Sequence, residues 1–532
     1  MDSLPMLRQI ALTLLIAAIS GCGGGSGSDP FAGGGVGGSS SGTETAEGGI
    51  GGSGSGTATG YGSIYINEMR HFDVDPDALV TLDGVALPAD SVNPTDLGLP
   101  EGVTVDYLLA EDANDTLTSG TATRLRAWHR VIGPVTGVAP LEVLGQPVQS
   151  TADTSVETAL GNTLGDLENL VNGDIVAVAG PADNGGLIRA SRVAERDTLP
   201  LQWQLVGAVQ NYDSGAGTFE IGNQSIALGG VLPDNCDSFG NGSQVHVLAA
   251  KDSTFLAGDT LDNVTSVTCV DNAFDLIGAE APEQVPATFE GIIVDVSALP
   301  EIRVGGQRVN VANVLDLVFG RVGDLSVGTH IEVEGVLDTT TGILSAKRII
   351  FLSPLVELTG PLESALAGEW FNMLGVTVKN TAGTLDPGMV LQNGDTSSPV
   401  NVRGFVTGFR DRAGSDWDSV VYAEEIAQVA TTDETVYGPV TGTTSDVISI
   451  LGVDFNLETS SGISIITLDG GIGGTLAETT DNITSICVLG LLPCPSNEEI
   501  TAMAANQATA EATGTFESPL NRIAGELALY AD

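Results

Sequence analysis

The stretch Arg124-Leu125-Arg126-Ala127-Trp128-His129-Arg130 is the one dense basic spot in the chain. Its alternation is that of a strand with one charged face. Arg124, Arg126, Trp128 and His129 could there contact an anionic glycan, because guanidinium groups fork onto anionic oxygens. They could equally pair with the protein's own acidic surface. Arg192 and Arg348 occupy equivalent places in two closing strands, with Arg124 as a third copy. That is either a ligand contact repeated once per unit or an arginine that pairs with an acidic neighbour and covers an apolar edge with its stem. Asp73-Val74-Asp75-Pro76-Asp77 sets carboxylates at alternate positions, and a hard cation such as Ca²⁺ takes oxygen ligands. No EF-hand loop and no Gly-Gly-x-Gly-x-Asp array accompanies Asp73, Asp75 and Asp77, so weak Ca²⁺ binding is the most they offer, and no other cofactor is expected. Asp183-Asn184-Gly185-Gly186 reads as a hairpin turn. Neither His-Glu-x-x-His nor Gly-x-Ser-x-Gly with plausible partners occurs, and among 68 Asp+Glu any carboxylate pair can be imagined without geometry. Trp370 and Trp417, two of only four tryptophans, fall in the same β unit, 358–436, which could bind a glycan.

Cysteine chemistry starts at residue 22. An apolar run from Ile10 to Ile19 covers too little of a bilayer for a transmembrane helix and suits the core of a signal peptide, residues 1–21. Ile19-Ser20-Gly21-Cys22 resembles the bacterial lipobox, with small residues for the peptidase and a thiol to receive lipid. Lipidated Cys22 would anchor the chain by several acyl chains. By resemblance to Gram-negative sorting rules, Gly23 rather than Asp directs it to the outer membrane. Four cysteines remain, Cys236, Cys269, Cys487 and Cys494, and in an oxidising compartment they allow three pairings. The local pairing, Cys236–Cys269 and Cys487–Cys494, keeps each bridge within one repeat. Metal binding by these thiols is disfavoured, because there is no Cys-x-x-Cys and the four histidines, 71, 129, 246 and 330, are scattered.

Composition limits the partners. The formal charge is −49, from 19 Lys+Arg against 68 Asp+Glu, so a nucleic-acid backbone has no basic groove to enter. Residues 22–60 are rich in Gly and Ser and read as a disordered tether of roughly 30–37 Å. Beyond it a β pattern recurs. Strands open near 61, 132, 205, 289, 358 and 437. In the fullest copies each is followed by a Gly-centred turn, a Gly-x-x-[Val/Ile]-x-Val-x-Gly segment and a closing Ala-x-Arg-Ile/Val strand, and units one, three, five and six lack parts of this motif. The clearest copy runs from Phe289-Glu290-Gly291 through Gly328-Thr329-His330-Ile331-Glu332-Val333-Glu334-Gly335 to Ala346-Lys347-Arg348-Ile349. In Thr329–Glu334 the alternation turns Ile331 and Val333 inward and assigns Glu332 and Glu334 to a solvated face. The units are 61–131, 132–204, 205–288, 289–357, 358–436 and 437–532. Helical periodicity is confined to Ser155–Leu170 and Asn497–Ala512.

These motifs resemble the bacterial domain of unknown function numbered 5666, most strongly at 289–352 and next at 132–196. The resemblance implies a small OB-like β barrel, often repeated and often exported, with no established activity and no catalytic residues. The expected architecture is therefore all-β: a tandem array of OB-like barrels after a Gly/Ser tether. The expected role is a lipid-anchored outer-membrane scaffold or spacer that engages an envelope protein or polysaccharide. A Ca²⁺- or polysaccharide-binding module is the alternative, and an envelope hydrolase the remotest one.

Overall fold

The computed structural model describes residues 50–531, except 61–62, 88–98, 197–201, 237–238, 271–274, 278–281, 366–369, 386–398, 408–419, 431–433, 444–446, 457–462, 468–508 and 515–525, and single residues 68, 115, 160 and 253. These residues belong to one compact unit, Gly48–Asp532. The signal segment, Cys22, the tether as far as residue 49, Trp417 and the Cys487–Cys494 pair lie outside the described residues.

Alternating apolar residues close into rings. Val131–Val138 pairs with Leu141–Val143, which pairs with Gln146–Glu157. Gln146–Glu157 runs parallel to Ile188–Glu195; that strand pairs antiparallel with Ile175–Ala179, which returns to Val131–Val138. This cyclic order, first-second-third-fifth-fourth, makes an OB-like barrel. Residues 284–351 repeat it with Gln284–Ala298, Glu301–Val304, Gln307–Asn310, His330–Asp338 and Ile343–Phe351, again with third and fifth strands parallel. Inward positions fill each ring with aliphatic side chains, such as Val135, Val176 and Val193 in one and Ile302, Ile331 and Ile349 in the other. The glycine ending the Gly-x-x-Val-x-Val-x-Gly segment is a bulge residue. The ladder shifts register between Glu334 and Gly335, and a Cβ on Gly335 would run into the Ser345 carbonyl.

The Gly/Ser segment is not a tether throughout. Ile50–Gly60 is a strand, paired antiparallel with Thr104–Ala110 and Ile64–Ile66. Together with Arg70–Leu82 and Ser119–Trp128 it gives residues 50–128 the same cyclic order. Composition misleads here because the small residues answer a packing need. Added Cβ atoms on Gly54 and Gly56 would strike the Tyr107 phenol and the Ile66 side chain. Ser53, Ser55 and Thr57 are buried between them.

Opening strands then pair with one another. Ile50–Gly60 lies parallel to Gln284–Ala298 through Ser53–Ala287, Gly54–Thr288 and Ser55–Phe289. Val131–Val138 pairs antiparallel with Gln202–Ala208, and Leu355–Gly360 with Glu434–Thr443. Each such seam satisfies the edge of a strand that would otherwise stay open.

The expected helix Ser155–Leu170 is corrected, and so are the last four residues of the expected helix Asn497–Ala512. Ser155 and Val156 continue a strand that pairs with Arg192 and Val193, and only Leu164–Asn169 turns, as a 3-10 helix. β-branched residues and a ready parallel partner outweigh the 3.6-residue pattern. Residues 509–512 fall in the strand Thr509–Gly514, hydrogen-bonded on both flanks, and 497–508 lie outside the described residues. Cys236 and Cys269 form the expected local disulfide.

Candidate functional site

The strand Ser119–Trp128 distributes the basic cluster as its alternation requires. Ala122, Leu125 and Ala127 are buried in the barrel, so the polar side chains face outward. Arg126 donates through Nε to Asp106 Oδ2 at 2.9 Å and holds the same carboxylate through Nη2 at 2.8 Å. Trp128 Nε1 donates to Asp106 at 3.1 Å. Arg124 points away from these and donates to the Leu276 carbonyl at 3.4 Å. Arg130, just past the strand, donates to the carbonyls of Gly180 at 2.7 Å and Val206 at 3.4 Å, and its guanidinium carbon lies 5.3 Å from the centre of the Trp128 ring.

Arg126, Trp128 and Arg130 border a cavity of about 250 Å³ whose other walls include residues 181–183, 204–207, 244–246 and 289–292. Segments far apart in the chain thus meet around it. Asp183, Gln204, His246 and Glu290 add polar groups that sequence spacing did not single out. They are distant in sequence, and no single-strand pattern brings them together. Burial pulls the Arg130 guanidinium down to about 10, only partly offset by Asp106. Burial also lowers His246, whose Nε2 has no hydrogen-bond partner.

His129 sits beside this cavity and turns elsewhere. Its Nδ1 lies 2.9 Å from Asp83 Oδ2, and its backbone N–H donates to Asp83 Oδ1 at 2.8 Å. Burial lowers the imidazole below its ordinary value even though Asp83 opposes that shift. A neutral ring with Nδ1–H donating to Asp83 satisfies both contacts, because Arg196 then donates to the lone pair of Nε2 at 3.4 Å. The pair is a neutral hydrogen bond to a carboxylate rather than a salt bridge between two charges.

The solvated face assigned to Glu332 and Glu334 is corrected. Glu332 is 1% exposed and joins Glu334 in holding Arg70, itself 1% exposed. Arg70 Nη2 bonds Glu332, reaches Glu334 at 2.7 Å, and its Nη1 donates to the carbonyls of Thr116 at 2.9 Å and Leu117 at 2.8 Å. Asn67 caps the other oxygen of Glu332 at 2.5 Å. Beside them, Glu290 accepts from the Thr57 amide at 2.6 Å and lies 2.9 Å from His330 Nε2. Burial works against the Arg70 charge, but Glu332, Tyr107 and Glu334 hold its pKa above the ordinary value. Alternation is real in this strand. Its outer face is covered by residues 50–128, which a reading of one barrel cannot see.

The remaining candidates have partners within the protein. Arg192 bonds Glu157 and donates to the Glu101 carbonyl at 3.1 Å, and Arg348 ion-pairs with Asp316 at 2.6 Å and Glu334 at 3.6 Å. Neither lines the cavity. Asp73 accepts from Ser63 at 3.0 Å, and Asp75 turns back to accept from the Asp77 amide at 2.7 Å. Among the described residues no group of three or more His, Cys, Asp or Glu side chains is placed to hold a metal ion. The Trp370 ring carries the Lys379 ammonium 5.2 Å from its centre.

The two closed rings place the protein in a class, that of small OB-like β barrels repeated along one chain. The same segments, residues 132–194 and 290–350, match the family model described as Domain of unknown function (DUF5666), so the chain contains a DUF5666-like domain in two copies. No curated protein matches the chain. One solved structure, titled drosophila Unr CSD456, aligns at 14% identity over 44% of this chain and 98% of that one, with a TM-score of 0.10, and carries no argument about fold or function.

Proposed function

We propose that the protein is a scaffold of the bacterial envelope, anchored in the outer membrane by lipid on Cys22, that presents six β units as one fixed array to an envelope protein or polysaccharide. The observation that carries this reading is the buried seam between residues 50–128 and 284–351. A parallel ladder and the Arg70–Glu332–Glu334 ion pairs join them. Buried ionic groups tolerate little displacement, since sliding would strand charges without partners. Further ties act in the same way. Arg189 ion-pairs with Glu424, and the Tyr437 hydroxyl donates to Asp324. An array held like this keeps its outer faces at set distances, which suits a spacer or docking platform. The chain's acidity keeps the array from adhering to anionic surfaces.

Two measurements test the reading. Palmitate labelling of wild type should be lost in Cys22→Ala, and equal labelling would sink the anchor. Affinity capture of the full chain from native membranes should enrich an envelope component over a control carrying residues 1–60 alone. No enrichment refutes the scaffold.

A further inference from the structure

The cavity beside Trp128 goes beyond a scaffolding role, and its lining carries a specific chemistry. Asp106 is taken by Arg126 and Trp128, Asp83 by His129, and Glu290 by Thr57 and His330. Arg130 is different. It is tied only to two carbonyls and to the Trp128 ring, and among the described residues no carboxylate forms an ion pair with it. A guanidinium has five N–H donors, so two carbonyl contacts leave donors unspent. His246 Nε2 is likewise buried without a partner. Asp183 and Gln204 supply oxygen acceptors to the same space.

The cavity therefore offers donors and acceptors together, with an indole at its edge. A group that both donates and accepts is a hydroxyl. Four carboxylates against two guanidiniums in the wall disfavour an anion, while the Arg130 charge, in no ion pair among the described residues, opposes a cation beside it. The volume of about 250 Å³ suits a molecule of sugar size rather than an ion or a polymer segment. An aliphatic ligand would leave the polar groups desolvated and unpaired.

We propose that this cavity binds a neutral hexose, with Arg130 and His246 donating to its hydroxyls, Asp183 and Gln204 accepting from them, and Trp128 flanking its apolar ring face. The sugar could be free in solution or the terminal residue of a glycan, and the chemistry is shared.

The test is calorimetric titration of the full chain with D-glucose, D-galactose and D-mannose, alongside D-glucuronate and D-glucosamine as anionic and cationic counterparts. At least one neutral hexose should bind with a Kd in the millimolar range or tighter, and its charged counterparts more weakly. Arg130→Gln should weaken that hexose by about ten- to a hundredfold, because a charge-assisted hydrogen bond is lost. His246→Leu should weaken it about tenfold while leaving the carbonyl ties of Arg130 in place. The methyl glycoside of the hexose separates the sources: retained binding upholds the site for a chain end, and lost binding upholds it for the free sugar. Absence of heat with all three hexoses overturns the proposal, as does tighter binding of glucuronate or glucosamine. Binding that neither variant alters places the sugar elsewhere and overturns it too. The wild-type comparisons need no variant to fold, and loss of hexose binding would leave the scaffold reading untouched.

Discussion

Replacing Arg70 by Met probes the seam directly. The variant keeps the aliphatic stem and removes the guanidinium. Glu332, 1% exposed, would then lose its cation, and Glu334, with its side chain 13% exposed, would keep only Arg348 at 3.6 Å. The carbonyls of Thr116 and Leu117 would lose donors as well. Breaking a buried ion pair from one side costs about 3–5 kcal/mol, and the stranded Glu332 carboxylate sets that expectation here. Hydrogen exchange of peptides spanning His330–Asp338 is the assay, because it reports local opening without assuming that the whole chain unfolds in one step. Protection should fall by roughly two to three and a half powers of ten. A fall of less than about tenfold, the equivalent of about 1.4 kcal/mol, refutes the argument that charge burial holds the seam. The pH dependence gives a second check. Burial raises Glu334 above its ordinary 4.5, against the pull of Arg70. Between the unfolded and folded values the native state binds more protons, so this group's contribution to stability improves as pH falls through that window. Without Arg70 the window widens. The deficit of the variant should therefore shrink on acidification, and a pH-independent deficit would assign the loss to packing instead.

Reducing the Cys236–Cys269 bridge opens a loop with a sequence separation of 33, which corresponds to roughly 3–4 kcal/mol on the chain-entropy account. Reductant should lower the melting transition of wild type and leave Cys236→Ser/Cys269→Ser unmoved; an unmoved wild type contradicts it. Stability should decline as pH drops from about 7 to 5, because unfolded His129 titrates at its ordinary 6.5 while the folded ring takes its proton only at lower pH. His129→Gln should flatten that decline, and an unchanged acid slope assigns it to other groups. Arg189→Ala removes an ion pair to Glu424 and a guanidinium 4.2 Å from the centre of the Phe405 ring. It should loosen Val420–Gln428 by about 1–2 kcal/mol, read as faster amide exchange there, and unaltered exchange would mean that the contact contributes nothing.

Much of the barrel interior was legible from alternation alone. Ile331 and Val333 point into their core as their spacing requires, and the recurring terminal glycine marks a bulge. The local disulfide followed from its place in one repeat. What alternation could not convey was the second neighbour. A period of two says which residues face away from one core, and it is silent on whether that outer face meets water or another barrel. Glu332 reads the same either way. Composition failed at Ile50–Gly60 for a related reason, because glycine and serine there fit beneath Tyr107 and Ile66, contacts that only the closed barrel brings together. Half of the candidate site was visible as the run Arg126, Trp128, Arg130. Asp183, Gln204, His246 and Glu290 were not, since they arrive from separate segments and share no spacing.

The parallel pairing of Ile50–Gly60 with Gln284–Ala298 also constrains the order of events when the chain is made. The Thr57 amide finds Glu290 across a separation of 233 residues. At a synthesis rate of about 5–20 residues per second, that partner emerges on the order of 10–50 s later. Until then the first strand offers a bare edge and Arg70 has no acids to meet, a state prone to mispairing with another nascent copy. The joint also limits how such a chain can grow in evolution. Inserting or deleting one repeat between residues 128 and 284 leaves the seam intact only if the intervening segment still spans the same gap, so duplications are better tolerated after residue 351 than within it.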